Sequence, residues 1–380
     1  MNILILNWRD VRHPKSGGAE LVTMEHAKGW TRLGHRVTWL TAGYEGARSQ
    51  DTVDGIHFIR RFGSLTIYLY APFFLLSESG KFDVIVDEVH GLPFFSTLFT
   101  RKPVVVFIHE IAGDIWDYMY SFPINKIGKA LEFLYFRIYK RCLFWTDAPS
   151  TIDELVKRGI KREQCQAIAC PIIIDKHFRI SKLVRKEKDP TYIFVSRVVR
   201  MKGIEEVIKA FSFIIRAESK SRLWIVGGGE ANYENELKHM IQDYGGENQV
   251  TFYGQVSEPE KLTLMARAHI LLHASVKEGW GLVVLESAYV GTPAVVYNVS
   301  GLKDIVLNRK TGIVIENNSP QEMAKEAITL LNDKKRYESY QKNAKIRVAS
   351  FSWSYAVSQS LTILTKACDK NSGQNRGYDL

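Results

Sequence analysis

The chain has 380 residues, of which 46% are apolar and 24% are charged. This composition excludes a disordered or fibrous protein, and the length suits two compact domains of about 180 residues each better than one core. The formal net charge of +10 predicts an anionic partner, a role for which nucleic acid, an acidic membrane surface and phosphorylated substrates compete.

The first ten residues, MNILILNWRD, contain an apolar run of only four residues and no basic leader. We therefore expect the first strand of a core and not a signal peptide, and a protein that acts on the cytoplasmic side. The four cysteines show neither a CxxC pair nor a zinc-binding spacing. Reduced thiols in a reducing compartment are the expectation.

In the first half of the chain, short apolar runs predict strands over 3–6, 36–40, 56–60, 84–87, 104–108 and 166–169. The loop after the first run leads into a predicted helix from Ala19 to Leu33, so Gly17 and Gly18 lie at a helix N-terminus. Small residues there let a phosphate approach backbone amides, although a simple turn would also explain them. The G-x-G-x-x-G spacing is absent, which weakens an interpretation as an oxidoreductase.

His109 directly follows the predicted strand 104–108. The imidazole is therefore expected at the carboxyl edge of the first sheet, either as a structural group or facing a ligand. A zinc ligand is not expected, because no histidine follows His109-Glu110 at the spacing of the zinc-binding helix motif.

The segment from Ile127 to Trp145 combines several cations with many apolar residues and is predicted to be helical. Such a helix either lies on an anionic bilayer or is an ordinary core helix with a basic solvent face. Nucleic acid is the weaker partner, because no zinc-finger, helix-turn-helix or RNA-binding signature accompanies the basic residues.

In the second half, predicted strands at 192–196, 223–226, 250–253, 270–274, 294–297 and 312–315 alternate regularly with helical patterns. This alternation predicts a parallel, doubly wound sheet. The charged stretch 176–190 ends in a proline and is typical of a linker. We therefore expect one domain over 1–175 and a second over 191–350, with the cleft between them as the default ligand site.

Arg197 and Lys202 lie between the predicted strand 192–196 and a helix that begins near Gly203. A guanidinium fork and an ammonium at the carboxyl edge of a sheet suit a diphosphate. Arg200 is a nearby cation to which we assign no role. A solvated basic loop is the simpler alternative.

The nine residues EGWGLVVLE place Glu278 and Glu286 eight positions apart, across a loop and the start of a predicted helix over 282–290. Glu286 is surrounded by apolar residues, where an unpaired carboxylate would be costly, so a hydroxyl-rich partner such as ribose is expected. A solvated loop carboxylate and a surface helix residue are the alternative. The start of this helix also offers backbone amides to a phosphate, at Gly281, Leu282 and Val283.

Helical spacing continues near the carboxyl end and predicts a last helix over 351–368. The remaining residues, 369–380, have the composition of a disordered tail.

Taken together, these segments resemble the retaining, GT-B type glycosyltransferases of family four, whose E-x7-E signature is matched by Glu278 and Glu286. The other matching segments occur in the family's order and extend over nearly the whole chain, at Gly17 to Glu20, His109, Ser196 to Gly203, Gly227 to Glu230 and Gly291 to Val296. The resemblance implies an α/β fold of the GT-B type, in which two Rossmann-like doubly wound domains face a central cleft. It also implies that the last helix crosses back to the first domain.

The activity that the resemblance implies is transfer of a sugar from a nucleotide-diphosphate sugar to an acceptor hydroxyl, with retention of anomeric configuration. Arg197 and Lys202 would then hold the donor diphosphate, Glu278 the sugar hydroxyls and Glu286 the ribose. His109 would face the donor sugar. No D-x-D pair occurs in the chain, so neither a metal nor a cofactor is expected, and cations and helix N-termini would neutralise the leaving group.

The acceptor stays open among a glycan, a lipid-linked molecule and a small molecule, in the synthesis of cell-envelope glycan, polysaccharide or glycolipid. An anionic membrane surface is a further candidate partner. Two other functions compete with transfer. One is different chemistry on nucleotide sugars, such as epimerisation or phosphorolysis, and the other is noncatalytic binding of a sugar nucleotide or a membrane surface.

Overall fold

The computed structural model describes residues 1–174, 178 and 184–375, with side chains described through residue 370. The chain forms two compact units. Unit 1 contains Met1–Ile173 and Ser352–Leu380, and unit 2 contains Ile174–Phe351.

The elements are numbered in chain order. The strands are β1 (Asn2–Leu6), β2 (Arg36–Ala42), β3 (Gln50–Val53), β4 (Ile56–Arg61), β5 (Val84–Val89), β6 (Val104–Ile108), β7 (Leu143–Thr146), β8 (Cys165–Ala167), β9 (Thr191–Val195), β10 (Arg222–Val226), β11 (Val250–Gly254), β12 (Ile270–His273), β13 (Ala294–Val296) and β14 (Gly312–Val314). The helices are α1 (Gly18–Arg32), α2 (Ile67–Glu78), α3 (Ile115–Met119), α4 (Ile124–Ile138), α5 (Pro149–Lys157), α6 (Ile204–Ala217), α7 (Ala231–Asp243), α8 (Glu258–Arg267), α9 (Leu282–Val290), α10 (Leu302–Ile305), α11 (Pro320–Asn332), α12 (Lys334–Ala349) and α13 (Trp353–Asn375).

Unit 1 is built on an eight-stranded sheet in the order β3-β4-β2-β1-β5-β6-β7-β8. β3 pairs antiparallel with β4, and the other neighbours are parallel. Because successive residues of a strand point to opposite faces, Leu4 and Leu6 of β1 enter one hydrophobic cluster, which α2, α4 and α5 cover.

The opposite face of this sheet is covered by α1 and α13. His26 of α1 packs against Trp145 of β7, with ring centroids 4.4 Å apart. The Ser360 hydroxyl of α13 lies 3.0 Å from His26 and accepts a hydrogen bond from the Trp30 indole at 2.9 Å. The last helix therefore packs on the amino-terminal part of the chain, within unit 1.

Unit 2 contains six parallel strands in the order β11-β10-β9-β12-β13-β14. Tyr192 and Phe194 of β9 are buried in a hydrophobic cluster to which α6, α7 and α11 contribute. The strands read as nearly continuous apolar runs because helices cover a parallel sheet on both faces.

In both sheets the strand order reverses at an internal strand, β1 in unit 1 and β9 in unit 2. The chain leaves such a strand toward one side, while the neighbour on the other side belongs to a later part of the sequence. Open parallel sheets bind ligands at the carboxyl ends of the strands at this point. A ligand site is therefore expected in unit 1 at the loops after β1 and β5, and in unit 2 at the loops after β9 and β12.

Every predicted strand is present with bounds within two residues of the prediction, but β3 and β7 were not predicted. The predicted basic helix from Ile127 to Trp145 is wrong at its carboxyl end, because α4 ends at Ile138 and residues 143–146 form β7. This short apolar segment pairs with both β6 and β8, and the tertiary pairing overrides the local helical pattern.

Two boundary regions differ from the sequence analysis. The described part of the predicted linker, 184–190, is attached to unit 2, where the Lys186 ammonium donates to the Thr292 hydroxyl at 2.7 Å. Residues 175–177 and 179–183 of this region lie outside the described residues. The predicted disordered tail is wrong over 369–375, which continue α13, and residues 376–380 again lie outside the description.

Of the helices in the described part of the chain, none combines the length and the apolar character that a bilayer-crossing segment needs.

Gly203, which joins the loop carrying Lys202 to α6, has a φ of +71°, and a Cβ there would lie 1.9 Å from the carbonyl oxygen of Ala274. Gly245 has a similar φ of +69° with open space around it. We expect Gly203→Ala to lower the free energy of unfolding by about 3 kcal/mol or more, because strain and overlap add.

Gly245→Ala is the matched control and should lose about 1 kcal/mol, from backbone strain alone. Chemical denaturation measures both losses. Equal losses would show that the close approach of Gly203 to the end of β12 does not constrain this loop.

Candidate functional site

The charged residues of unit 2 meet where β9 and β12 end. These two strands are parallel neighbours, so both deliver their following loops to the same edge of the sheet. Arg197 and Lys202 follow β9, and Lys202 closes a short 3-10 turn before α6. His273 is the last residue of β12, and Glu278 lies in the loop that follows it.

The Glu278 carboxylate is held by two donors. Lys202 Nζ lies 2.7 Å from Glu278 Oε1, and His273 Nε2 lies 3.0 Å from the same oxygen. Burial opposes ionisation, but Lys202 and His273 together hold the pKa of Glu278 well below its ordinary value. Oε2 has no hydrogen-bond partner among the described residues, so it is available to accept from a ligand hydroxyl.

His273 is a residue that the sequence analysis missed. It is buried and stacks on Phe194 of β9, with ring centroids 6.0 Å apart. Its signal in the sequence is a polar side chain that ends an otherwise apolar strand, five positions before Glu278. Such a position places the side chain at the ligand-binding edge of a parallel sheet.

The cations near Lys202 differ in their availability. Arg200 is paired with Glu205 and, at 2.5 Å, with Glu236. The Arg197 side chain is exposed and has no hydrogen bond or ion pair within the described parts of the chain. Arg197 can therefore reach an anion without giving up an existing contact, whereas Arg200 cannot.

The helix α9 begins at the same loop. Gly281 is its N-cap and has a φ of +85°, a conformation that favours glycine. The amide groups of Leu282 and Val283 have no acceptor within the described residues, which is normal for the first turn of a helix. They point as donors toward the helix N-terminus, where an anion is favoured.

Glu286 lies about one turn inside α9 and is largely buried. The sequence analysis expected a hydroxyl-rich partner for this carboxylate and did not identify a charged one, but Lys261 Nζ of α8 lies 2.8 Å from Glu286 Oε2. Burial nevertheless raises the pKa of Glu286 to about 7, and the Lys261 ammonium only partly opposes this rise. The sequence offered no signal for Lys261, which is 25 positions away on another helix.

In unit 1, Gly17 is the N-cap of α1, and Gly18 is the first residue of this helix. The buried Glu20 carboxylate accepts a hydrogen bond from the Gly17 amide at 2.6 Å and pairs with the Arg9 guanidinium at 2.8 Å. An internal carboxylate therefore already caps this helix N-terminus. A phosphate at Gly17 and Gly18 would have to approach beside it.

His109 lies at the carboxyl end of β6 between two buried carboxylates. Its Nδ1 is 2.5 Å from Asp147 Oδ2, and its Nε2 is 3.1 Å from Glu88 Oε1. Glu88 also contacts His90 Nε2 at 2.8 Å and accepts from the Thr23 hydroxyl at 2.9 Å. The sequence analysis found His109 but none of these partners, which come from other strands and helices.

These contacts set the charge of the cluster. Burial alone would lower the pKa of His109, but Asp147 and Glu88 raise it to about 10. Burial would raise the pKa of Glu88, but His109 and His90 hold it well below its ordinary value. His109 is therefore an imidazolium at neutral pH, and both of its ring nitrogens donate to carboxylates.

Glu88, His90 and His109 are also the one group of ligand atoms among the described residues that is close enough to hold a metal ion, within 4.8 Å of one another. A metal would need the unprotonated Nε2 of His109. The raised pKa of His109 opposes this, so the hydrogen-bonded arrangement is favoured over coordination.

Two family models match the chain in succession. Residues 16–176 match Glycosyltransferase Family 4, and residues 175–347 match Glycosyl transferases group 1. The chain belongs to the group 1 glycosyltransferases. The prediction of a glycosyltransferase family is thereby confirmed as far as the group 1 family.

Two relatives illustrate the range of similarity. The D-inositol 3-phosphate glycosyltransferase of Paenarthrobacter aurescens is 29% identical over 217 residues, which cover 54% of this glycosyltransferase and only 53% of the relative. An uncharacterized glycosyltransferase of Methanocaldococcus jannaschii is 25% identical over 399 aligned positions, covering 96% and 97% of the two chains.

The fold has close counterparts among solved structures. The Anabaena protein HepE, crystallised with UDP and glucose, superposes with a TM-score of 0.72 at 19% identity, covering 96% of this chain and all of HepE. At this identity the likeness shows the fold. The predicted α/β class with two Rossmann-like domains of the GT-B type is therefore confirmed.

The raised pKa of His109 generates a spectroscopic prediction. We expect the His109 imidazole to stay protonated from pH 5 to pH 9, because its pKa is raised to about 10. The stability that the protonated imidazole contributes to the fold is present in full below pH 6.5, the ordinary histidine pKa, and is lost as the pH rises through about 10. Side-chain nitrogen NMR of histidine-labelled protein measures this state.

His26 is the internal control, because burial lowers its pKa to about 3, and it should stay neutral over the same range. Asp147→Asn should bring the His109 titration down toward neutral pH. A His109 that titrates near pH 6.5 in the unmodified protein would contradict the charged arrangement.

Proposed function

We propose that this glycosyltransferase transfers a hexosyl group from a nucleotide-diphosphate sugar to an acceptor hydroxyl with retention of anomeric configuration. The observation that carries the proposal is the arrangement at the switch point of unit 2. There Lys202 and His273 keep Glu278 ionised, and Arg197 is exposed without a partner among the described residues.

In this proposal the donor is held by unit 2. Arg197 and Lys202 bind the diphosphate, since a guanidinium fork and an ammonium offer charged hydrogen bonds to phosphate oxygens. The α9 N-terminus, from Gly281 to Val283, adds backbone donors. Glu278 accepts from sugar hydroxyls through its free oxygen, and Glu286 accepts from the ribose.

We propose that His109 of unit 1 helps to orient the donor sugar. Both of its N–H groups already donate to carboxylates and its pKa is raised to about 10, so it is a poor general base at neutral pH. The leaving phosphate then takes the acceptor proton. We also propose that the α1 N-terminus at Gly17 and Gly18, which Glu20 caps, contributes to donor binding.

We further propose that the diphosphate needs no divalent metal, because Arg197 and Lys202 are already in place to neutralise it. The acceptor is a glycan, a lipid-linked molecule or a small molecule, and the reaction belongs to envelope-glycan, polysaccharide or glycolipid synthesis on the cytoplasmic side. The Paenarthrobacter relative is named for an inositol phosphate, which supports a small phosphorylated molecule as one candidate acceptor.

The test is a panel of UDP, GDP and ADP sugars, assayed for nucleotide release with EDTA and then with Mg²⁺, followed by NMR of the product's anomeric centre. Acceptor-dependent release in EDTA with a retained anomeric configuration is expected. Product without an acceptor, or only with free phosphate, would favour an epimerase or phosphorylase. Selective binding without turnover of any donor would favour a noncatalytic binding protein.

Lys202 can be tested against a neighbour in the same 3-10 turn. Lys202→Ala should lower kcat/KM by roughly tenfold to a hundredfold, because a charged hydrogen bond contributes about 1.5 to 3 kcal/mol. Arg200→Ala removes an equal charge that is already paired on the surface and should leave kcat/KM within roughly twofold. Similar losses for both variants would remove the assigned role of Lys202.

His273 is predicted to position Glu278. His273→Leu removes the donor without leaving a large cavity, and we expect the donor KM to rise roughly tenfold, the loss of one charged hydrogen bond. His273→Gln retains an N–H donor and should restore most of the affinity. If both variants change KM equally while their unfolding curves differ, His273 supports the core and does not orient the carboxylate.

A further inference from the structure

The helix α2 is apolar on two sides, and only one of them is used by unit 1. Its inner side packs Ile67, Ala71 and Leu75 into the hydrophobic cluster of the sheet. Its outer side leaves Leu69, Phe73 and Leu76 about 70% exposed, and Leu65, one turn earlier, is 82% exposed. These positions recur at helical spacing, so they form one continuous apolar stripe in solvent.

A second stripe runs along α4. This helix buries Tyr135 and Phe136 in the same hydrophobic cluster. Its solvent side carries residues three or four positions apart that are about half exposed, namely Ile124, Ile127, Leu131 and Leu134. The interpretation as an ordinary core helix with a basic solvent face accounts for the buried residues and the exposed cations of α4, but not for the apolar residues that share the solvent side with those cations.

The two stripes lie on the same face of unit 1. Both helices cover the cluster formed by Leu4, Leu6 and their neighbours on one side of the sheet, so their outer sides point away from that same side. We call this surface the α2–α4 face. It consists of the two stripes and of the exposed cations that border the α4 stripe.

The cations are Lys126, Arg137, Lys140 and Arg141, all of which are exposed. Within the described residues none of the four has a carboxylate partner. Arg137 lies over the ring of Phe133 at 5.2 Å, which keeps a charge beside an exposed aromatic side chain. Lys129 is paired with Asp114 and Asp117. Acidic residues thus lie near the α4 stripe, but they do not neutralise the four cations.

We infer that the α2–α4 face docks unit 1 on an anionic lipid bilayer. Apolar stripes with unpaired cations at their border match the boundary between acyl chains and anionic headgroups. A second copy of the chain is a poorer occupant, because a two-fold contact would bring like charges together. The inference concerns attachment and stands apart from the proposed sugar transfer.

The experiment is sedimentation of the full chain with vesicles of phosphatidylcholine alone and with added phosphatidylglycerol, at low and high salt. We expect strong binding only to the anionic vesicles, weakened by salt. Leu69→Ser with Phe73→Ser should lower the partition coefficient at least tenfold. Arg137→Glu with Arg141→Glu should lower it by more than roughly twentyfold, since each cation near an anionic surface strengthens binding about fivefold.

Matched controls separate this face from general stickiness and charge. Leu33→Ser, at the end of α1 on the other side of the sheet, removes a side chain that is 62% exposed and should leave the partition coefficient unchanged. Arg216→Glu with Lys220→Glu in unit 2 changes the net charge by the same amount as the α4 pair and should have much less effect.

Three outcomes would overturn the inference. They are no binding to anionic vesicles, binding that the face variants and the controls weaken equally, and a dimer in solution that Leu69→Ser with Phe73→Ser dissociates. Circular dichroism and unfolding curves verify that the variants remain folded, which is expected because the substituted side chains are on the solvent side.

Discussion

The parallel order of the strands is the constraint on which the candidate site depends. Because β9 and β12 run side by side in the same direction, the loops that follow them must emerge at one edge, although Lys202 and Glu278 are 76 positions apart. The near approach of Gly203 to the end of β12 fixes the spacing of the two loops. The ion pair between Lys202 and Glu278 is then a consequence of topology.

The same constraint acts in unit 1, with a different electrostatic result. There β5 and β6 bring Glu88 and His109 to one edge, and Asp147 follows β7. Two buried carboxylates surround a single histidine, so the desolvation of the acids is offset by an imidazolium and not by a lysine or arginine. In unit 2 one carboxylate is shared by an ammonium and an imidazole. The unit 1 edge therefore holds an imidazolium whose two N–H groups are both taken by carboxylates, while the unit 2 edge presents a carboxylate with a free oxygen.

The sequence analysis located residues correctly where their position follows from the nearest strand. Arg197, Lys202 and Glu278 each lie within a few residues of an apolar run, so the strand ends located them. It failed where a partner comes from a different element. Asp147 is 38 positions from His109, and Lys261 lies on the helix before the one that carries Glu286. Strand β7 was missed for the same reason, because its pairing between β6 and β8 is decided by the sheet and not by its own pattern.

Helix α2 shows a limit of periodicity that concerns surfaces. A helix that is apolar all round is expected to be buried all round, but one sheet can cover only one of its sides. The outer side of α2 thus remains in water and adds nothing to the packing of unit 1. The α4 stripe is exposed on the same face of unit 1. Two separate helices therefore leave apolar residues in solvent on one face, which is a stronger indication of a binding surface than either helix alone. None of the described residues buries these stripes, and the cations beside them, which have no carboxylate partner among those residues, favour an anionic surface as the contact that would bury them.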